Sequence, residues 1–296
     1  MTGSENKKAL IVVIGYNVAK VLPNTIQSIP PLENAEIVVV DDGSGDGTGE
    51  VARSLGLQVL THEKNRGYGG AQKSGYREAI KRGAALAVLV HGDNQYDPTL
   101  VPKFMSKIRD EGYEAVTGTR MILGDALTNG MPLWKFIPNR FLTHLENFVF
   151  QTNISDYHNG FRAFSTEFLR RIPLDLLSDK FDFDTDIIIQ AAIRGARIAE
   201  IPHPTRYLDE NSQMSFPKAV RYGLSILRTV TLYILHKTGI RRQKLFEQNV
   251  LIQGMASPNS FAPKHESAIP QPGLGDRTSQ KKHPERFRKE HEWRVF

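Results

Sequence analysis

Apolar residues along the chain gather in short unbroken runs separated by polar turns. Ala9–Ile14, Glu36–Val40, Gln58–Thr61, Ala85–Val90 and Ala115–Gly118 each read as a strand. Between them the spacing changes to that of helices, over Asn24–Ser28, Gly47–Leu55, Gly69–Arg82 and Thr99–Asp110, with Pro98 suited to a first helical turn. Ala71, Tyr76, Ala79 and Ile80 set the apolar face of the third of these helices. Strands that are apolar throughout are buried on both faces, and strands alternating with helices pair in parallel. The pattern predicts an α/β fold with a Rossmann-like, mostly parallel sheet and helices on both faces. Polar residues cluster just beyond the strand ends, where ligands of such sheets bind.

The second half is less regular. Leu133–Phe150 reads as a long amphipathic helix, and Asp156–Ser165 as a polar loop leading into a strand-like FRAF. Thr185–Ile193 reads as a helix and Arg197–Ile201 as a strand. Lys218–Lys237 is a long helix with Val220, Leu224, Leu227, Val230 and Ile234 at helical spacing. Such helices usually close a core, the alternative being a helix lying in a membrane interface. There is no internal repeat of fixed period.

Composition narrows the classes. The 296 residues allow one large domain or two small ones, and 40% hydrophobic residues suffice for a full core. The absence of cysteine excludes disulfide scaffolds, Cys-ligated zinc, iron–sulfur clusters and cysteine nucleophiles. The apolar run near the start is too short for a signal peptide. The longest apolar stretch, Tyr222–Leu235, is interrupted by Arg228, so no spanning helix is expected. The reading is a cytoplasmic protein, with peripheral membrane contact left open. Net charge is +6, and residues 241–296 hold 11 Lys and Arg against 6 Asp and Glu. We expect a folded domain over 1–240 and a basic, Pro-containing, largely irregular extension over 241–296. The extension reads as a solvated arm or as a docking segment for anionic lipid or a partner. Its aromatic residues are too sparse to suggest nucleic acid.

Three loops carry candidate chemistry. VVVDDGSGDGTGE lacks the glycine spacing of a dinucleotide fingerprint. It also fails as a calcium loop, whose twelfth position here is Arg53. A carboxylate at the strand end, Asp41 or Asp42, can instead accept hydrogen bonds from a nucleobase or ribose. Asn65-Arg66-Gly67 precedes a helix, and free backbone N–H groups with Arg66 would make an anion site. In His91–Asp97 the Asp93 carboxylate and the Gln95 amide oxygen, two residues apart, can grip Mg²⁺ or Mn²⁺. His144, His158 and His203 stand at no metal-ligand spacing and read as surface or supporting groups.

Taken in order, IGYN, VVVDDGSGDGT, NRGYGGA, GDNQYDP and VTGTR resemble the inverting family-2 glycosyltransferases, and most of all their polyprenyl (dolichyl) phosphate mannose or glucose synthase branch. DYHNGFRAF and FDFDTDIII are similar to later segments of that branch, so the resemblance spans roughly Ala9 to Leu235. It implies a GT-A fold, a nucleotide-sugar donor and a divalent cation. It places Tyr16, Asn17 and Asp41 or Asp42 on base and ribose, with Asn65, Arg66 and Gly67 nearby. It places Asp93 and Gln95 at the metal-bridged diphosphate and Arg120 on a phosphate. Arg206, Ser212 and Lys218 would belong to a late loop over the donor phosphates, and Asp156, Asp184 and Asp186 to the acceptor side. The chain departs from the family pattern at Val18, His91, Asn159 and Gln213.

The implied chemistry is a single displacement at the anomeric carbon. A polyprenyl phosphate acceptor is already ionised near neutral pH. A glycan or other hydroxyl acceptor needs a general base, for which Asp156, Asp184 and Asp186 are candidates. Asp184 and Asp186 could equally be acids at a helix start. Two other classes stay open. A sugar nucleotidyltransferase would show a Gly-rich basic loop where this chain has IGYNVAK, and a non-catalytic nucleotide-sugar or carbohydrate-binding protein would use the same loops without turnover. The oligomeric state, including a homo-oligomer, is left open.

Overall fold

The apolar runs become the middle of a seven-stranded sheet. The computed structural model describes residues 8–124, 126–203 and 216–247. Its strands are β1 (Ala9–Gly15), β2 (Ala35–Asp41), β3 (Gln58–Thr61), β4 (Leu86–His91), β5 (Ala115–Thr119), β6 (Arg162–Ser165) and β7 (Ile198–Pro202). Their order in the sheet is β3-β2-β1-β4-β6-β5-β7. All pairings are parallel except those of β6, which runs antiparallel to both β4 and β5. Every strand expected from the apolar runs is present within a residue or two. A strand's direction leaves no trace in its composition, so that of β6 is a finding of the structure.

The helices are α1 (Leu22–Gln27), α2 (Thr48–Ser54), α3 (Tyr68–Lys81), α4 (Val101–Arg109), α5 (Leu133–Phe150), α6 (Thr166–Arg171), α7 (Phe183–Ile193) and α8 (Phe216–Lys237). A single 3₁₀ turn, Pro98–Leu100, leads into α4, and the Asp97 carboxylate caps it by accepting from the Thr99 N–H at 3.0 Å. The short α6 was not expected, since one turn and a half is too little for a periodic signal. The Ser165 hydroxyl starts it by accepting from the Phe168 N–H at 3.1 Å.

Alternate residues of β1 serve two cores. Leu10, Val12 and Ile14 pack with α3, α6 and α7 on one face. Ala9, Ile11 and Val13 pack with α1, α2 and α4 on the other. This is the double coverage that unbroken apolar strands require. A third cluster, with Leu142, Ile189, Ile226 and Val230, joins α5 and α8 to α7. Residues 241–247 fold back onto it: Phe246 is buried and the Leu245 carbonyl accepts from the Gln190 amide at 3.0 Å. The packed body therefore runs past Ile240, and the rest of the expected extension lies outside the described residues. Among the described residues no helix is long and apolar enough to cross a membrane.

Candidate active site

Sheet register brings the first loops together. Gly15 pairs with Asp41, and Ile14 with both Val40 and His91, so the chain leaves β1, β2 and β4 at one level. Side chains then stitch these loops to one another. The Ser44 hydroxyl accepts from the Asn17 N–H, and the Asn17 side-chain oxygen accepts from the Gly45 N–H. Asp46 accepts from the Ala19 N–H at 2.9 Å, and Thr48 from the Val18 N–H at 2.9 Å. Asn17 takes a φ of 55°, which its short polar side chain tolerates. Tyr16, beside it, is 51% exposed and presents its ring at this edge.

Two expectations for the neighbouring loops need correction. The Asp42 carboxylate is buried and already occupied: Oδ1 accepts from the Arg66 N–H and Oδ2 from the Gly67 N–H, each at 2.9 Å. His62 Nδ1 lies 2.6 Å from Oδ1, and its other nitrogen meets Ser74 at 2.9 Å. Asp42 thus anchors the 62–67 loop instead of facing a ribose. By the same bonds, the N–H groups expected to hold a ligand anion at Arg66 and Gly67 hold the protein's own carboxylate. Those of Gly69 and Gly70 donate to the Asp179 carbonyl. Asp41, also buried, closes its own turn by accepting from the Ser44 N–H at 3.0 Å. Asn65 and the Arg66 side chain remain exposed at this rim.

The loop after β4 carries Asp93 and Gln95, the two residues expected at a cation. Asp93 Oδ1 accepts from the Gln95 N–H at 3.1 Å, folding the loop so that both side chains belong to one turn. A carboxylate and an amide oxygen suit a hard divalent cation that takes its other ligands from water and a diphosphate. No cluster of three or more His, Cys, Asp or Glu that could hold a metal occurs among the described residues. His91 is turned inward: its Nε2 lies 3.1 Å from the Tyr68 hydroxyl, and its ring packs edge-on to Tyr96. Burial lowers its pKa, against the pull of Asp93 and Asp184.

Because β6 runs antiparallel, the segment preceding it, and not the one following it, lies at the carboxyl edge. Asp156 is therefore brought under Arg120, which follows β5. It is fully buried, and Arg120 grips it with both arms, Nε to Oδ2 at 2.7 Å and a terminal nitrogen to Oδ1 at 2.9 Å. Asn139 of α5 and the His158 N–H also donate to Oδ1, at 3.1 and 3.2 Å. Desolvation works to raise its pKa, but the Arg120 charge and hydrogen bonds outweigh it and hold the carboxyl well below the usual range. So weak a base does not take a proton from a hydroxyl group. Both oxygens of Asp156 are engaged by these donors, an arrangement that orients Arg120 and lends no support to the general base expected at Asp156.

Asp184, at the start of α7, is tied down as well. Its oxygens accept from the Tyr68 hydroxyl at 2.9 Å and the Gln72 amide at 3.1 Å. A line of hydrogen bonds thus runs from His91 through Tyr68 to Asp184. Gly160 borders that line, and a Cβ there would meet the Tyr68 hydroxyl and stand 2.7 Å from the His91 ring. Asp186 turns to the 178–182 segment, where its carboxylate accepts from the Ser178 N–H at 3.0 Å. Burial first, and the Asp182 charge after it, push its pKa up to about 7 despite the Ser178 bond and Lys73. Its partners belong to that segment and to α3, apart from Asp93 and Asp156.

Two groups that the sequence reading did not single out organise this side. Arg162 is fully buried and donates to the Asn159 carbonyl at 2.6 Å, the Tyr157 carbonyl at 2.7 Å and the Asp184 carbonyl. Its signal in the chain is the Gly160-Phe161-Arg162 run that leads into β6. Glu146, inside α5, faces His158 at 3.3 Å. Burial pushes the Glu146 carboxyl well up and brings the His158 ring down to about 4. His158 also meets the Tyr222 hydroxyl of α8 at 3.0 Å. Lys218 stands exposed at the start of α8. Arg206 and Ser212 lie outside the described residues.

Comparison with known proteins agrees with the geometry. The family model described as glycosyl transferase family 2 matches residues 10–172. An uncharacterized protein of Methanocaldococcus jannaschii is 35% identical over 226 residues, covering 75% of this chain and 90% of its own. A dolichyl-phosphate hexose transferase of Haloferax volcanii is 31% identical over 223 residues, covering 74% and 92%. Glucosyl-3-phosphoglycerate synthase from Mycobacterium tuberculosis, solved with Mn²⁺, uridine diphosphate and phosphoglyceric acid, shares the fold with a TM-score of 0.57 at 18% identity. That match covers 79% of this chain and 80% of the other.

Proposed function

Because this chain belongs to glycosyl transferase family 2, we propose that it moves a hexose from a nucleoside-diphosphate sugar to a polyprenyl phosphate, with inversion and with a divalent cation. The observation that carries this reading is the state of the acceptor-side carboxylates. Asp156 is ionised and clamped by Arg120, Asp184 accepts from Tyr68 and Gln72, and Asp186 looks elsewhere. An acceptor whose attacking oxygen needs no deprotonation fits such a site. A phosphate monoester, with a second pKa of about 6, is one. The dolichyl-phosphate acceptor in the name of the Haloferax relative supports the same choice.

A phosphate oxygen of the acceptor attacks the anomeric carbon while the bond from that carbon to the donor diphosphate breaks. The nucleoside diphosphate leaves with the bonding electrons, and no proton need move. Asp93 and Gln95 would hold the cation, which when bound neutralises charge on the departing diphosphate. Tyr16 and Asn17, which follow β1 and are joined to the loop after β2, would receive the base and ribose. Arg120, first expected at a donor phosphate and kept in one orientation by Asp156, would meet the acceptor phosphate, which a guanidinium suits. The neighbour's complex with Mn²⁺ and uridine diphosphate supports a diphosphate donor of this kind, and we leave GDP and UDP as the two candidates.

Thermal shift with GDP, UDP and their hexose conjugates, with and without Mn²⁺ or Mg²⁺, identifies the donor, since a bound ligand raises the melting temperature by mass action. Turnover is then compared on a short prenyl phosphate and on a neutral sugar. Transfer to the phosphate alone is expected, and Asp93→Ala should lower it by about 10²–10³. Transfer to the neutral sugar but not to the phosphate would sink the proposal.

A further inference from the structure

We propose that the exposed faces of α5 and α8 are a seat for an anionic lipid bilayer, setting the Arg120–Asp156 side of the site against the membrane surface. The proposal deepens the lipid-phosphate reading above and rests on it for the direction in which the acceptor arrives. The two helices lie side by side and run the same way. Trp134 meets Phe216 at 5.5 Å near their starts, Leu142 lies beside Gly223 midway, and Phe150 meets Tyr233 at 4.8 Å near their ends. Their inner faces supply the third core cluster. Their outer faces are apolar too: Trp134, Ile137 and Phe141 follow at helical spacing on α5, as do Phe216, Val220 and Leu224 on α8. Ile137, Phe141 and Leu224 are 62%, 63% and 61% exposed. Scattered apolar side chains are normal on a protein surface, but two adjoining stripes mark an interaction face.

Charge selects the occupant. The charges at the surface of both helices are all positive, with Lys218, Arg221, Arg228 and Lys237 exposed on α8 and Lys135 and Arg140 half-buried on α5. Their single acid, Glu146, is buried against His158. A second copy laid face to face would oppose like charges. Residues 248–296 are themselves basic, with eight Lys and Arg against five Asp and Glu. An apolar stripe flanked by Lys and Arg, with an aromatic residue at its end, suits the headgroup region of an anionic leaflet. Neither helix can span, so the contact is with the surface.

The face is also tied to the site. Asn139, on the inner side of α5, donates to Asp156 at 3.1 Å, and Tyr222 of α8 meets His158 at 3.0 Å. The loop joining Arg120 to α5 exposes Ile122, Leu123 and Leu127. A lipid phosphate could therefore reach Arg120 while its hydrocarbon stayed in the bilayer.

The chain has two tryptophans, so Trp293→Phe leaves Trp134 as the sole reporter. Adding phosphatidylcholine vesicles that contain phosphatidylglycerol should shift its emission to the blue and shield it from a soluble quencher. Neutral vesicles should do so far less. The Ile137→Ser/Phe141→Ser/Leu224→Ser variant should bind vesicles at least about tenfold more weakly. It should keep its turnover on a short water-soluble prenyl phosphate and lose turnover on a long-chain acceptor in vesicles. Arg221→Glu/Arg228→Glu, which leaves the apolar stripe intact, should weaken binding to the anionic vesicles alone. Unchanged vesicle binding in both variants overturns the proposal. So does a dimer, seen by sedimentation, that the serine variant dissolves. Vesicle binding without any phosphate turnover would leave the membrane seat standing and remove the acceptor assignment instead.

Discussion

Asp156→Asn separates a positioning carboxylate from a catalytic base. The native carboxylate receives two bonds from the Arg120 guanidinium, at 2.7 and 2.9 Å, and two more from Asn139 and the His158 N–H. Asparagine has the same outline and keeps one oxygen, which can serve Asn139 and His158. Its amide NH₂ then points at Arg120 Nε, donor against donor. At least one charge-assisted bond is lost, worth about 1.5–3 kcal/mol. The Arg120 side chain, 13% exposed, keeps a charge without its counter-ion. Removing one partner of a buried pair costs about 3–5 kcal/mol, and the slight exposure of Arg120 argues for about 3. For a body of this size that is a fall of roughly 6–12 °C in melting temperature. Transfer to a prenyl phosphate should weaken through a higher acceptor KM, with the shape of the pH–rate profile unchanged. A variant that melts like the native protein, yet loses about 10²–10⁴ in rate together with the acid limb of the profile, would make Asp156 the base and refute this reasoning.

Gly160→Ala places a methyl group against the Tyr68 hydroxyl and the His91 ring. Neither ring can withdraw without breaking the line to Asp184, so overpacking of about 1–3 kcal/mol is expected, read as a lower melting temperature with reduced turnover. Tyr68→Phe removes the hydroxyl that joins His91 to Asp184. Leaving the Asp184 carboxylate short of a donor and the His91 ring nitrogen short of an acceptor should cost about 1–3 kcal/mol in denaturant unfolding, and an unchanged midpoint would contradict the contacts described. Asp186 has a folded pKa of about 7 against an ordinary 3.8, so the native state binds the extra proton between those values. Stability from this group is therefore lost as pH rises from about 4 to 7, by at most about 4 kcal/mol at roughly 1.4 per unit. Asp186→Asn should raise the melting temperature at pH 7.5 and leave it nearly unchanged at pH 4, as scanning calorimetry at both pH values would read. His158 acts in the opposite sense. Its pKa falls to about 4 from 6.5, so its contribution is present above 6.5 and is lost as pH falls toward 4.

Strand positions, the loops at the carboxyl edge, the Asp93–Gln95 pair and the family were all legible in the chain, because each rests on residues close together in sequence. Unbroken apolar runs this short, bounded by turns and alternating with helices, read as strands covered on both faces, and the ordered motifs between them are local. What each carboxylate does was not legible. Asp42 is occupied by N–H groups 24 and 25 residues away, Asp156 by an arginine 36 residues away, and Asp184 by a tyrosine 116 residues away. A carboxylate's work depends on which donors reach it first, and only the packed chain decides that. The same holds for β6. Nothing in RAFS says that it runs backwards, yet its direction puts the 156–160 segment, and not the residues after the strand, beside Arg120. The apolar stripe of α8 was visible in the sequence from its spacing, but whether it faced a core or the outside depended on which flank α5 and α7 would cover. The tertiary structure covers Ile226 and Val230 and leaves Leu224 outside.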